Sequence, residues 1–375
     1  MAITGRKKVG VDFHVVDGIF QGSRSHVLEI FSRVFRICPD IEFYIFLEQI
    51  DALRELSPDF LLPNVNLVHM EHANPVKRLC LQLPVFQKKL NLDLLHTQYI
   101  SPMPSFCKTV ITLHDILFES HPQYFSPLFN FRSKLLMRAS AARAAHIFTV
   151  SEYSKNEISS KFKINVQDIT VIHNGVDRNR FYPGNEGAQV VRDRALEPGG
   201  YILTVGRLEP RKNHVNLIKA FAELADTDIP LVIIGQRHFG YHHIDDLIRE
   251  TGLSDRIFVL DDVKDKDLPS FYRHAKLFVY PTWAEGFGMP VLEAMASGIP
   301  VITSNTTALP EVVGDAGVLT DPEDVQGLRN AMDHLLSSPD VTRKYIENAL
   351  VRAQCFDWGV SAQKVKKIYK EILGY

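Results

Sequence analysis

Glu285-Gly-Phe-Gly-Met-Pro-Val-Leu-Glu293, continued by Ala-Met-Ala-Ser-Gly298-Ile-Pro-Val-Ile302, reads as loop, short helix and buried strand in immediate succession. Pro290 suits the first residue of a helix, where its missing N–H costs no hydrogen bond, and Gly298 suits its end. The apolar run Ile299, Val301 and Ile302 then fits a strand covered on both faces. Glu285 is left on the loop entering the helix and Glu293 inside it. Ionised carboxylates only accept hydrogen bonds, so two of them facing one space suit hydroxyl-rich ligands such as sugar and ribose rings. Phe287 and Gly288, flanked by Gly286 and Met289, can offer backbone N–H groups at a helix N-terminus, where a phosphate also binds well. Two solvated glutamates on an ordinary helix would explain the carboxylates, but not the turn and cap residues that fall in step with them.

Outward from this stretch the alternation repeats. Candidate strands lie at 8–13, 43–47, 94–97, 109–113, 146–150 and 169–172, then at 201–205, 230–234, 257–260, 277–279 and 300–303. Helical stretches fall between them at 25–36, 216–224, 245–250 and 326–336. Such alternation predicts parallel sheets with helices on both faces. Two sets in series predict an α/β protein of two doubly wound domains, with ligands at the carboxyl ends of the strands. Tyr182-Pro-Gly-Asn-Glu-Gly187 punctuates the chain, which places the domains at 1–182 and 183–356. The tail, 357–375, carries Val360, Val365, Ile368, Tyr369 and Ile372 at helical spacing.

A chain of 375 residues suits two domains of about 150–200 residues each. Its 45% hydrophobic and 23% charged residues exclude wholesale disorder. A net charge of −2 gives no reason to expect nucleic acid as a partner. Residues 1–183 hold 21 basic and 17 acidic side chains, so the basic excess belongs to the N-terminal half. Cys38, Cys80, Cys107 and Cys355 form no C-x-x-C and read as free thiols of a reducing cytosol. Arg6-Lys-Lys8 precedes an apolar run, but Asp12 and His14 break it too early for a signal peptide. No run approaches the ~20 apolar residues of a membrane span. The expectation is a cytoplasmic protein with peripheral contact at the inner face of a membrane. That contact is expected through 126–143, where Leu128, Phe129, Phe131, Leu135, Leu136 and Met137 mix with Arg132, Lys134, Arg138 and Arg143. A helix packed on its own sheet, its basic side chains on the wet face, would give the same composition.

Other motifs carry cations and glycines to strand ends. In Gly206-Arg-Leu-Glu-Pro-Arg-Lys-Asn213 a glycine closes a strand, and Arg207 and Lys212 follow at its carboxyl edge. Arginine grips phosphate through two N–H groups and lysine acts as a compact point charge. A solvated basic turn is the plain alternative, and Arg211 reads as a bystander. Leu113-His-Asp115 sets His114 at another strand end, facing a ligand or capping local backbone. Gly18-Ile-Phe-Gln-Gly22-Ser-Arg-Ser25 links the first strand to the first helix, and its backbone around Gly22 can meet a phosphate.

These stretches, with His173-Asn-Gly-Val-Asp177, resemble the retaining glycosyltransferases of family 4 over most of the chain and in the expected order. The separated glycines of 18–22 depart from the adjacent pair frequent in that family. The resemblance implies the GT-B fold, two doubly wound Rossmann-like domains facing each other across a cleft, with the last helix crossing back to the N-terminal domain. It implies transfer of a hexose, with retention, from a nucleotide diphosphate sugar to a hydroxyl of a glycan or lipid-linked glycan, without metal or other cofactor. Arg207 and Lys212 would then meet the diphosphate and Glu293 the ribose. Glu285 would orient the transferred sugar, with Gly22, Gly206 and the 286–289 backbone lining the donor and His114 approaching from the other domain. The stretch 109–177, with Leu113-His-Asp-Ile-Leu-Phe118, Pro122 and Tyr124-Phe125, is similar to bacterial mannosyltransferases of polysaccharide assembly. That similarity points to GDP-mannose, with UDP-glucose and UDP-N-acetylglucosamine as alternatives and the base near 235–237 and 260–264.

Two D-x-D matches, Asp226-Thr-Asp228 and Asp265-Lys-Asp267, fall in polar connecting loops and are expected to hold no metal. The absence of G-x-G-x-x-G and P-loop patterns disfavours nicotinamide and ATP. Two rival readings are a nucleotide-sugar epimerase, which needs no acceptor, and a non-catalytic sugar-nucleotide binding protein.

Overall fold

A computed structural model describes residues 5–17, 22–71, 74–224, 228–237 and 243–375. The chain divides into two compact units, Met1–Asn174 with Asp357–Tyr375, and Gly175–Phe356.

The first unit is built on a parallel sheet of β1 (Lys7–Asp12), β2 (Ile41–Leu47), β3 (Val65–His69), β4 (Leu94–Gln98), β5 (Lys108–Thr112), β6 (His146–Thr149) and β7 (Ile169–Val171). Their spatial order among the described residues is β3-β2-β1-β4-β5-β6-β7. The second sheet comprises β8 (Ile202–Val205), β9 (Leu231–Ile234), β10 (Ile257–Leu260), β11 (Leu277–Tyr280), β12 (Val301–Ser304) and β13 (Val318–Thr320), in the order β10-β9-β8-β11-β12-β13. Central strands such as β4, β8 and β11 are buried throughout. Helices cover both faces of a parallel sheet, which is why these strands read as continuous apolar runs. In each sheet the order reverses once, between β1 and β4 and between β8 and β11. At such a reversal the crossovers diverge to opposite faces and leave a crevice at the carboxyl ends.

Two edge strands, β3 and β13, escape the sequence reading. Neither is fully buried, so neither carries the apolar run that marks a central strand. The boundary also moves: the second unit starts at Gly175, ahead of the 183 expected from the Pro-Gly cluster. Arg180 pairs with Asp265 (2.9 Å) and Phe181 packs edge-on against Tyr272 (5.5 Å). Arg273 donates to the carbonyls of Arg180, Tyr182 and Glu186. The Pro-Gly turn is thus the surface of the second unit rather than the link into it.

The C-terminal helix, Trp358–Leu373, belongs to the first unit. Its buried seam is Trp358, Ser361, Ala362, Val365, Tyr369 and Leu373, facing the Gly22–Ile37 helix. Val360, expected on the apolar stripe, is exposed instead. Asp357 caps the helix by accepting from the N–H of Gly359 (2.6 Å) and of Val360 (3.3 Å), so Val360 lies in the outward first turn. Polar ties finish the docking: His96 Nδ1 stands 2.6 Å from the Tyr369 hydroxyl, and Ser361 donates to the carbonyl of His173 (2.6 Å).

Candidate active site

Of the expected residues of the second unit, Gly206, Arg207, Lys212 and Glu285 gather at its switch point. β8 ends at Val205 and delivers Gly206 and Arg207; β11 ends at Tyr280 and delivers Pro281 to Glu285. Gly235 must be glycine here, because a Cβ on it would stand 1.9 Å from the carbonyl oxygen of Gly206. The close approach brings the ends of β8 and β9 together. Lys212 folds back over this floor, its Cδ 3.6 Å from the Cβ position of Gly206.

Glu285 is the hub. Its Oε1 accepts from Lys212 Nζ (2.6 Å) and the Tyr280 hydroxyl (2.9 Å), and stands 2.8 Å from Arg211 Nη1 and 3.2 Å from Thr282 Oγ1. Its backbone N–H donates to Thr307 Oγ1 (3.0 Å). Oε2 has no hydrogen bond among the described residues, so one oxygen is pinned and the other is open to a ligand. Burial would raise the Glu285 carboxyl, but Arg211 and Lys212, with the Lys212 and Tyr280 hydrogen bonds, bring it down to about 2. Lys212 is held below the ordinary lysine range by burial and by Arg211, against the pull of Glu285 and Glu209. The Tyr280 hydroxyl is pushed up by burial and by Glu285.

Arg211, read as a bystander, is a structural member of this cluster. Besides Glu285 it pairs with Glu209 (2.7 Å) and donates to the carbonyl of Ala284. Arg207 differs from both neighbouring cations: its half-buried guanidinium makes no hydrogen bond or ion pair among the described residues, and its Nε is buried without a partner. Paired Arg211 and Lys212 balance Glu209 and Glu285, which leaves Arg207 as an uncommitted positive charge.

Glu293 occupies the Met289–Ala296 helix beneath the 286–288 turn. Gly288 starts that helix with φ +113, and a Cβ there would meet Leu309 Cδ2 at 2.7 Å. Phe287 is buried, its ring edge-on to Phe356 at 5.7 Å. Met289 is the first helical residue and Pro290 the second. The carboxyl of Glu293 is raised by burial to about 7, although Tyr272 and Arg180 oppose the rise. The buried Tyr272 hydroxyl lies toward it yet completes no well-formed hydrogen bond.

His114 lies in the first unit, just beyond β5, with Nε2 3.0 Å from Gln98 Oε1. Gly22 opens the Gly22–Ile37 helix of that unit, and a Cβ there would meet open space. Residues 18–21 of the glycine loop lie outside the described residues, as do Asp226 and Thr227 of one D-x-D match. Asp265 of the other is engaged by Arg180. Among the described residues no three His, Cys, Asp or Glu side chains group closely enough to hold a metal ion.

Sequence reasoning missed Tyr280, Thr282, Glu209 and the role of Arg211. Tyr280 falls one residue past the 277–279 run expected as a strand, and only its place at the end of β11 marks it. A second missed feature is Asp12, wholly buried at the carboxyl end of β1 and paired with Arg78.

Comparison with known proteins gives concordant matches. A model described as Glycosyl transferases group 1 matches residues 192–352, and one described as Glycosyltransferase Family 4 matches residues 31–180. O-antigen chain mannosyltransferase B of Escherichia coli is 35% identical over 272 residues, covering 70% of each protein. O-antigen chain mannosyltransferase RfbU of Salmonella typhimurium is 28% identical, covering 69% of this chain and 68% of that one. Among solved structures, sucrose-phosphate synthase of Thermosynechococcus elongatus superposes with TM-score 0.79 at 20% identity, covering 98% of this chain and all of that one. Anabaena HepE in complex with UDP and glucose gives 0.77 at 20% identity, covering 97% and 100%. At such identities the structures speak for the fold alone.

Proposed function

The chain belongs to the family 4 glycosyltransferases, a GT-B enzyme family, and we propose that it moves mannose from GDP-mannose to a hydroxyl of a glycan or lipid-linked glycan during polysaccharide assembly. Family membership sets aside the epimerase and the non-catalytic binder. The bond from the sugar C1 to the diphosphate oxygen breaks and a bond from C1 to the acceptor oxygen forms. The acceptor proton passes to the departing phosphate on the same face of the ring, so the anomeric configuration is retained.

The observation that carries this reading is the pairing of opposites at the second switch point. Among the described residues Arg207 is a half-buried cation with no partner, and the neighbouring Glu285 is an ionised carboxylate with one oxygen free of hydrogen bonds. A diphosphate supplies what Arg207 lacks, and a sugar hydroxyl supplies what Oε2 lacks. Fixed charges aimed at a leaving diphosphate lower the barrier without reorganisation during the reaction. With Arg207 and Lys212 in that role, the transfer runs without metal. Glu293, on the Met289–Ala296 helix, takes the ribose hydroxyls. Mannose and the polysaccharide acceptor rest on the relatives, which are named O-antigen mannosyltransferases.

The acceptor side adds a membrane. In the Pro127–Ala141 helix Leu128, Phe131 and Leu135 are 77%, 72% and 61% exposed, beside exposed Arg132 and Lys134. This is the reverse of a helix that hides its apolar side chains on its own sheet. An anionic bilayer suits a face carrying both, and a lipid-linked acceptor would be met there.

The test is a thermal-shift series with GDP, UDP, ADP and their common sugars, with and without EDTA, followed by transfer of labelled sugar to a glycan acceptor. Ligand at 100 Kd adds about 2.7 kcal/mol to stability. GDP and GDP-mannose should be the ligands of the series that raise Tm, with or without EDTA. A response confined to a UDP-sugar would replace the donor, and loss of transfer in EDTA would replace the metal-free mechanism.

A further inference from the structure

Gln98 closes β4 at the switch point of the first sheet, opposite Thr112 of β5 in the strand register. Two residues beyond Thr112 the chain presents His114, whose Nε2 lies 3.0 Å from Gln98 Oε1. An amide oxygen only accepts, so this bond requires a proton on Nε2 and leaves Nδ1 of a neutral ring bare. The ring is neutral: burial, with His26 and His96 as neighbours, holds His114 well below the usual histidine range. His114 Nδ1 makes no hydrogen bond among the described residues.

The plane of the ring is fixed from two further sides. His26 meets it edge-on at 4.7 Å between centroids, and Tyr99 lies at 5.3 Å. His26 is itself anchored, with Nδ1 2.7 Å from Asn174 Oδ1 and its ring edge-on to Trp358 at 5.8 Å. Tyr99 holds a left-handed backbone with φ 64, an unfavourable conformation for a residue with a Cβ. Gln98 is only 1% exposed, and its Nε2 is buried without a partner among the described residues. A buried amide donor left unpaired costs stability, and a sheet interior built for stability alone would hold an apolar residue at this position.

We propose that Gln98 is the positioning residue of His114: it fixes the Nε2–H tautomer and so makes bare Nδ1 the acceptor for a hydroxyl of the carbohydrate substrate. The proposal rests on the transferase function proposed above, with His114 at the carbohydrate as the family resemblance implies. The opposite orientation of the Gln98 amide would donate to Nε2, put the ring proton on Nδ1 and make His114 a donor.

The experiment is a long-range nitrogen–proton NMR spectrum of the full chain labelled in histidine, with the His114 signals assigned by their loss in His114→Ala. Wild-type protein should show protonated Nε2 and bare Nδ1 at neutral pH, and Gln98→Leu should show a mixture of tautomers. A proton on Nδ1 in the wild type overturns the proposal, whether or not the variant folds. Transfer assays complete the test. Gln98→Leu should lower kcat by ~10-fold to ~10²-fold, the range of a misplaced group, and should cost nothing more in a His114→Ala background. A further loss in that background means that Gln98 acts independently of His114 and overturns the proposal. An altered tautomer with unchanged turnover leaves Gln98 in control of the ring and removes His114 from the substrate site instead.

Discussion

Single residues at the second switch point separate charges that hold the protein together from charges held ready for a ligand. Lys212 and Arg211 converge on Glu285 Oε1, so Glu285→Ala should cost about 3 kcal/mol of stability, as breaking a buried pair leaves uncompensated charge. Glu285→Gln should cut turnover by at least ~10², the usual cost of one oriented contact at the reacting centre. Arg207→Ala should leave the free energy of unfolding within about 0.5 kcal/mol of wild type, because Arg207 has no side-chain partner among the described residues to lose, yet weaken GDP binding about tenfold by calorimetry. Wild-type GDP affinity in that variant would remove Arg207 from the donor site. Glu293 is read by pH. Its carboxyl titrates near 7 when folded against 4.5 for the free group, so burial favours the protonated form. That stabilisation is complete below about pH 4.5 and is lost as pH rises towards 7. Donor affinity should run the other way, since a ribose hydroxyl pair needs an ionised acceptor: GDP should bind about tenfold more weakly at pH 6 than at pH 8, and Glu293→Gln should flatten the profile. Glu285, Glu293, Arg207 and Lys212 were legible because spacing put them at strand ends and a helix start. Tyr280 and Arg211 were not, because their roles depend on which chain segment folds over them.

At the scale of elements, sequence reports what an element buries better than what it leaves outside. The central strands were legible because two-sided burial demands unbroken apolar runs; β3 and β13 were not, because an edge strand makes no such demand. In the Trp358–Leu373 helix the period was readable and Val365 and Tyr369 lie on the expected seam, but the seam begins at Trp358, Ser361 and Ala362 instead of Val360, where the Asp357 cap fixed the first residues. The Pro127–Ala141 helix shows the limit most clearly. Its composition fitted two opposite orientations, and only the fold selects the one that buries Ser133, Met137, Ser140 and Ala141 and exposes Leu128, Phe131 and Leu135. Lys134 and Arg138 are both tethered to Glu119 (2.8 and 2.9 Å), whereas Arg132 makes no ion pair among the described residues. Replacing Phe131 and Leu135 by Ser should therefore abolish co-sedimentation with vesicles containing anionic lipid and leave Tm unchanged or raised. Binding to neutral vesicles should be weaker from the outset, and added salt should reduce binding to anionic ones within the screening range. A loss of several degrees in Tm in the double variant would mean that the two side chains are packing residues, and would withdraw the surface.

At the scale of the molecule, the first unit is discontinuous in sequence: residues up to Asn174 lack their last layer until Asp357–Tyr375 returns. The missing piece is a packing surface rather than an ornament. Trp358, Val365 and Tyr369 are almost fully buried, and His96 in the sheet interior spends one ring nitrogen on Tyr369 and the other on Thr112 (2.8 Å). Without the helix, His96 would face an apolar gap with an unpaired nitrogen, a cost of about 1–3 kcal/mol beyond the lost burial. Burying a large apolar side chain contributes about 1.5–3 kcal/mol, so losing three such side chains removes an amount comparable to the whole stability of a domain. The second unit, Gly175–Phe356, is continuous and closes its own sheet. The two units should therefore behave differently when separated. A fragment of residues 175–356 should melt cooperatively by circular dichroism, whereas a fragment of residues 1–174 should show no cooperative melt until a peptide of residues 357–375 is added. Tyr369→Phe in that peptide should restore folding incompletely, since it keeps the ring and removes the hydroxyl that His96 bonds. A cooperative melt of residues 1–174 alone, at the temperature seen with the peptide, would show that the returning helix decorates a unit that is already complete.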